Sequence, residues 1–441
     1  MNSTLKLQEL EKKSKWEEQH SQFLWAYYVL IFLGTWLIAN LLTFEKISTK
    51  IMLSDFISGV ALIFFGWLSL CPKRLWAPWA CCLIGVWLQL APLFFWSPTA
   101  FGYLNDTVTG AAVIAFALLI PGTPGMMEDD GAAFPPGWSY NPSCWSQRLP
   151  IICLTCACWF FSRYMAAFQL GYIDTMWDPV FGSGTLNVIT SSVSKAFPIS
   201  DAGLGAFVYT MEALLGAKGG VRRWRTMPWM VALFGLLVIP AGLASIILIM
   251  LQPLLVGAWC FWCLLTAACM LTMIALTMDE VIATVQFLRA SMLQGHSFWP
   301  LFWHGGVSPS ASTPEKFSLE PSFSFSAGLK GISLPWNLIV SLGLGIWLLF
   351  HSGPYTTAVN IGHILGALTI TTSMISFAEV ARTARFFNVV LGSFCLLLPF
   401  LMSAPEVVTW KALVVGVLLI GFSIPKGKIR ESYGTWQDSI R

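Results

Sequence analysis

Residues 229–251, WMVALFGLLVIPAGLASIILIML, contain no charged side chain over 23 positions. A helix needs about 20 such residues to cross the hydrocarbon core of a bilayer. Inside lipid, a single segment satisfies its backbone polar groups only as a helix. Similar runs recur near 23–43, 51–70, 77–96, 104–120, 150–172, 254–277, 332–350, 357–376, 385–402 and 408–424, with a shorter Gly-rich run at 202–217. These twelve runs predict an all-α polytopic membrane protein with about twelve transmembrane helices. The composition excludes a soluble fold: 56% of the 441 residues are hydrophobic and 11% charged, with a mean hydropathy of +0.69, too few charges for a wetted exterior. The net charge of +3 comes from unevenly placed residues and points to no nucleic-acid partner.

Loop charges predict the orientation. Lys6, Lys12, Lys13, Lys15, Lys73, Arg74, Arg148, Lys218, Arg222, Arg223, Arg225, Arg289, Lys316, Lys330, Arg382, Arg385, Lys426, Lys428, Arg430 and Arg441 fall on one face when the helices alternate. The other face receives Lys46, Lys50, Lys195 and Lys411. Both termini are therefore expected in the cytoplasm, and 202–217 must cross for the later loops to keep this bias. Residues 1–20 are charged and show no cleavable signal pattern.

The two ends of the chain repeat a pattern. GTWL begins at Gly34, GVWL at Gly85, GIWL at Gly345 and the looser GSFC at Gly392. A second helix follows each, with Gly59, Gly110, Gly366 and Gly416 lying 25, 25, 21 and 24 residues on. Small residues at matched depth let membrane helices approach closely. With APW at 77–79, LPWN at 334–337 and AEVARTARFFN at 378–388, these units resemble the SPW-repeat family of small bacterial membrane modules, although Ala77 and Leu334 replace the serine of the motif. The resemblance implies four-helix domains at 23–121 and 331–424, with packing as their evident role. Residues 1–22 read as a cytoplasmic N-terminal segment, 122–147 and 291–330 as Pro/Gly- or Ser-rich cytoplasmic linkers, and 425–441 as a cytoplasmic tail.

Between the repeats, GAWCFWCLLTA at 257–267 sets Cys260 and Cys263 at i and i+3 in an apolar run, where the topology puts the external membrane boundary. Cysteines so spaced share a helix face and can form an exchangeable disulfide. A helix N-terminus favours the thiolate of the first. No other metal-ligating residue stands beside the pair, so no metal site is expected. Cys153, Cys156 and Cys158 contain a second CxxC at the other end of a helix and read as packing.

LGAFVYTMEALLG (204–216), SIILIMLQPLLVGAWCFWCLLTA (245–267) and SSVSKAFPISD (191–201) make residues 148–290 resemble the vitamin K epoxide reductase family, membrane thiol oxidoreductases that couple a helix-borne CxxC to a quinone. The resemblance implies a four-helix bundle of 150–172, 202–217, 229–251 and 254–277, with Cys263 facing a quinone (ubiquinone, menaquinone or a relative) and Cys260 exchanging with a thiol partner. Asp201 matches the position where the family often has an asparagine bonded to a quinone oxygen, and also reads as a helix N-cap. Ala267 stands where animal members carry a tyrosine, and the loop 174–201 lacks the cysteine pair the family usually has there. The expected partners are membrane lipid, quinone and an extracytoplasmic thioredoxin-like protein, in a cell inner (plasma) membrane. The alternative is a non-catalytic membrane scaffold derived from the family; a small-solute transporter has helix number in its favour and Arg163 as the expected intramembrane charge. His351 and His363, Trp259 and Trp262, the helix-end charges Asp279 and Glu280, and an i,i+3 ion pair among Glu379, Arg382 and Arg385 complete the residues with packing or boundary readings.

Overall fold

Each apolar run is a helix. The computed structural model describes residues 17–18, 20–43, 48–118, 132–307, 325–350, 357–401 and 406–440. His351, most of the 1–22 segment and parts of both expected linkers lie outside the described residues. In chain order the helices are α1 (Leu24–Thr43), α2 (Thr49–Ser69), α3 (Ala77–Phe94), α4 (Ala100–Leu118), α5 (Trp145–Gln169), the short α6 (Gly184–Ile189), α7 (Asp201–Ala217), α8 (Pro228–Leu251), α9 (Phe261–Leu293), the short α10 (Phe298–His304), α11 (Trp336–Phe350), α12 (Thr357–Phe377), α13 (Phe387–Leu401) and α14 (Glu406–Ser423). Among the described residues eight helical segments are long and apolar enough to cross a membrane, joined by shorter apolar ones. The protein is an all-α, multi-pass membrane protein.

The chain forms two compact units: residues 1–127, 162–176 and 194–214, and residues 128–161, 177–193 and 215–441. In the first, α1 and α2 cross where a Cβ on Gly34 would lie 2.7 Å from Gly59 O, and one on Gly59 2.7 Å from Gly34 O. Helices α3 and α4 repeat this at Gly85 and Gly110, at 2.9 and 2.6 Å. Every distance is under that of a tolerable Cβ contact, so only glycine allows the crossing. Asn40 and Trp36 of α1 donate to Asn105 Oδ1 of α4 (2.9 and 3.0 Å), tying the two hairpins together. Arg163 donates to Thr107 Oγ1 (2.8 Å) and lies 4.4 Å from the Tyr103 ring centre. It is not the only charge-bearing residue within the helices: Asp55, Asp106 and Glu212 are also buried there.

The second unit carries the same glycine geometry at Gly345–Gly366 (3.1 and 2.8 Å to the facing carbonyl) and Gly392–Gly416 (2.8 and 2.7 Å). Its centre is α9, 33 residues and so about 50 Å long. This helix starts at Phe261 rather than near 254, and runs well past the expected end at 277. The late start has a local cause. Residues Gln252–Val256 make a π-helical turn that Gly257 ends in the left-handed region, at φ +67°. The late end exists because residues 279–291 have protein to pack on.

That packing overturns two sequence expectations. Asp279 and Glu280 are buried, not solvated at a helix end. Glu280 receives a bidentate pair from Arg223, Nε to Oε1 at 2.7 Å and Nη2 to Oε2 at 2.6 Å, and a hydrogen bond from Ser143. Arg223 Nη1 also donates to the carbonyls of Leu215 and Lys218, both 2.7 Å, at the end of α7, and Arg148 Nη1 donates to Lys218 and Gly219 O. One guanidinium thus satisfies a carboxylate and the orphan carbonyls of a helix end. The Glu379 segment is a buried 3-10 helix, and Glu379 accepts from the amides of Arg430 and Glu431 and from Tyr433 Oη (3.0 Å) rather than forming the expected i,i+3 pair. The tail is folded: Tyr433 is buried edge-on against Trp138, Gln286 Nε2 donates to Tyr433 O (2.9 Å), and Trp436 Nε1 donates to Val380 O (2.9 Å). Trp138 and Tyr140 bring the described part of the Pro/Gly-rich stretch into the same core.

Candidate redox site

Chain geometry before α9 sets the site. Helix α8 ends at Leu251, and the amide of Gly257 closes the π turn on Gln252 O (2.9 Å). The buried Gln252 side chain reaches forward to accept from the Cys260 amide (2.9 Å). Cys260, with φ −105° and ψ 114°, is the N-cap of α9, and its sulfur accepts from the Cys263 amide at 3.1 Å. Cys260 and Cys263 are joined by a disulfide, their Cα atoms 5.3 Å apart. The i,i+3 spacing and the N-terminal placement read from the sequence are therefore both present.

Exposure separates the two sulfurs. Cys260 is fully buried, whereas Cys263 is partly exposed. A flap comprising residues 177–189 closes the turn. The amide of Phe261, one residue after Cys260, donates to Thr185 Oγ1 (3.2 Å) and lies 3.5 Å from Asp178 Oδ2. A Cβ on Gly184 would fall 2.2 Å from Trp259 O, so this glycine lets the flap backbone press on the turn. Trp262 Nε1 donates to Trp177 O (2.8 Å). The flap thus grips residues 259, 261 and 262, on both sides of Cys260.

Asp178 organises the flap internally. Its Oδ1 accepts from the amides of Val180 (2.9 Å) and Phe181 (2.7 Å), and its Oδ2 accepts from the Thr185 hydroxyl (2.6 Å) and amide (3.1 Å). Partial burial pushes the carboxyl pKa up, but the hydrogen bonds from Thr185, Phe181 and Val180 outweigh it and hold it below the ordinary value. The Asp-Pro of DTMWDPVFG is a turn signal, but its use as the anchor of a CxxC helix depends on tertiary contact. Sequence reasoning missed it, and Gln252 with it.

Aromatic rings surround the turn. Trp262 lies 5.3 Å from Phe161 and 6.2 Å from Trp177 between ring centres. Trp259 lies 4.9 Å from Phe350 and 5.8 Å from His363, so it packs inside protein. His363 is buried, with Nδ1 hydrogen-bonded to Leu349 O at 2.6 Å. Deeper on α9, Ala267 is buried, and Cys158 of α5 donates weakly to Thr266 O (3.8 Å).

Asp201 lies at the start of α7, but the cap is Ser200, whose Oγ accepts from the Gly203 amide (2.9 Å). The Asp201 carboxylate accepts from Gln169 Nε2 (2.5 Å), from Ser194 Oγ (2.9 Å) and from its neighbour's amide (2.8 Å). Both oxygens are used as acceptors. Among the described residues no group of three or more His, Cys, Asp or Glu side chains is placed to hold a metal ion.

Residues 149–278 match the model of the vitamin K epoxide reductase family, and residues 24–120 match that of the SPW repeat domain. No curated protein and no solved structure matches the chain. The match of residues 149–278 to the vitamin K epoxide reductase family, with a disulfide at the CxxC, supports a membrane thiol oxidoreductase kind of function.

Proposed function

We propose that the protein is a membrane thiol/disulfide oxidoreductase linked to a quinone, with Cys260 and Cys263 as its redox pair. The observation that carries this reading is the disulfide at the N-cap of α9, inside the segment that matches the vitamin K epoxide reductase family. Residues 148–290 are read as the redox bundle, and 23–121 and 331–424 as packing domains, with both termini cytoplasmic and the CxxC turn at the external side of an inner or plasma membrane.

A quinone supplies an acceptor for two electrons and two protons. The residues fit such a ligand: Cys263 is partly exposed on an apolar helix beside Trp262 and Phe161, surroundings suited to a lipid-soluble ring. Asp201 has the place of the family's asparagine, and its carboxylate accepts from Gln169 and Ser194.

The chemistry of the pair follows thiol exchange. A thiolate of an external dithiol attacks the sulfur of Cys260, the Cys260–Cys263 bond breaks, and Cys263 leaves as a thiolate. The second thiol of the partner then attacks the mixed disulfide, releasing Cys260 and leaving the partner oxidised. Two electrons now rest on the pair, and reforming its disulfide passes them to the acceptor. The Cys263 amide that points at the Cys260 sulfur is placed to stabilise the thiolate on Cys260. Burial of Cys260 adds one requirement: the flap must open before a partner reaches it.

The discriminating experiment uses Cys260→Ser and Cys263→Ser. With glutathione disulfide, or a periplasmic-type thioredoxin in its disulfide form, the Cys260 thiol of Cys263→Ser should attack, release one partner thiol and accumulate a mixed disulfide, and Cys260→Ser should not. The reverse pattern, or no adduct on either, would return the bundle to the scaffold reading.

A further inference from the structure

We infer that Asp178 is a positioning residue of the redox pair: its carboxylate, anchored in the flap and set against the Phe261 amide, places a fixed negative charge at the N-terminus of the CxxC helix and favours the Cys260–Cys263 disulfide over the dithiol. The inference rests on reading that pair as redox-active.

A helix N-terminus stabilises an anion through its free amides and its dipole, which is why a thiolate at an N-cap is more acidic than a free one. In this turn the amides are already distributed. The Cys263 amide points at the Cys260 sulfur (3.1 Å), the Cys260 amide is taken by Gln252 (2.9 Å), and the Phe261 amide faces Thr185 (3.2 Å) and Asp178 (3.5 Å). The stabilisation that the N-terminus would otherwise offer to a thiolate on Cys260 is therefore partly taken up by the Asp178 carboxylate. Two like charges at one helix end oppose each other. The reduced pair carries the thiolate and the oxidised pair does not, so the opposition falls on the reduced state alone.

The geometry keeps that charge in place. Four hydrogen bonds within the flap hold the carboxylate, and the Thr185 hydroxyl that donates to it also accepts from the Phe261 amide. The same hydrogen bonds keep Asp178 ionised through neutral pH. The other titratable groups that approach the turn are His363, against the Trp259 ring, and Cys158, at the level of Thr266.

The chemistry is the two-electron couple: the disulfide takes two electrons and two protons to give two thiols, and the external dithiol that supplies them becomes a disulfide. Neutralising Asp178 removes the charge that opposes the Cys260 thiolate. The first cysteine then becomes more acidic and the dithiol form more stable, so the pair becomes the stronger oxidant.

The test measures two quantities on the full-length protein in detergent, neither of which needs a quinone. One is the midpoint of the pH profile for alkylation of reduced Cys260 by N-ethylmaleimide. The other is the equilibrium of the pair with dithiothreitol. Asp178→Asn should move the alkylation midpoint down and the exchange equilibrium about threefold to tenfold toward the dithiol, tenfold being about 30 mV for this couple. Asp178→Glu should restore both. Thr185→Val loosens the flap but leaves the carboxylate, and should raise the alkylation rate at every pH without moving the midpoint. The inference is overturned if Asp178→Asn behaves as Thr185→Val does, for then the residue only latches the flap. Asp178→Ser serves as a second neutral variant if the asparagine protein does not fold. Quinone turnover of the wild-type protein is scored separately: its absence would defeat the proposed function and leave the midpoint comparison standing.

Discussion

Glu280 lies where an apolar helix should have run into water, and it is buried because Arg223 and Ser143 meet it there. The sequence marks both residues as charged and helix-terminal, and nothing in their spacing, 57 positions apart, announces a pair. The CxxC was legible because i,i+3 spacing is a local property. Asp178 and Gln252 were not, since each acts on a residue 8 to 83 positions away. Breaking a buried pair costs more than the pair contributes, because a charge is left without its partner. Arg223→Met should therefore destabilise the protein by about 3–5 kcal/mol, read as a lowered unfolding midpoint in detergent, while the double variant Arg223→Met/Glu280→Leu should recover most of the loss. Lys218 makes a pH-dependent prediction. Burial lowers its pKa to about 8 from an unfolded value of 10.5, so between those values the unfolded chain binds the extra proton and stability rises with pH. The unfolding midpoint of wild type should climb relative to Lys218→Met between pH 8 and 10; a constant difference would exclude this role for Lys218.

The helices themselves were the most legible elements, because a run of about 20 apolar residues is a local signal with one structural solution in lipid. The glycine pairs were legible too, since similar offsets of 21 to 25 residues in two-helix units set matched depths. In the structure all four pairs pack backbone to backbone. Gly85→Val would press a branched side chain onto Gly110 O and Ile114 and should lower stability by about 1–3 kcal/mol; an unchanged midpoint would mean that the α3–α4 hairpin does not depend on that crossing. What composition hid were the segments with Pro, Gly and charge. Residues 425 to 440 read as a cytoplasmic tail with no packing signal, and the structure anchors them to the core through the buried Tyr433 and Ile440. Tyr433→Ala removes a buried ring and its hydrogen bond to Glu379 and should cost about 3–5 kcal/mol, seen as proteolytic release of the tail at temperatures where wild type resists. The α9 helix is another such case: its start was masked by an apolar π turn, and its end by tertiary packing.

The chain carries a segment that matches the SPW repeat domain and one that matches the vitamin K epoxide reductase family, with a further set of helices that repeats the first one's glycine crossings. The proposed division of labour gives packing to residues 23–121 and 331–424 and chemistry to residues 148–290. In that reading the cysteine-free loop serves as a flap: Asp178 and Thr185 hold it against the Phe261 amide, beside the buried Cys260 and the partly exposed Cys263. The measurement that bears most directly on this is a redox titration of Cys260 and Cys263 in the purified protein, followed by alkylation mass shift, with ubiquinone or menaquinone analogues as the only oxidant. The account predicts one disulfide formed per quinone consumed in wild type, and none in Cys263→Ser. A pair that stays reduced at every quinone concentration would contradict it.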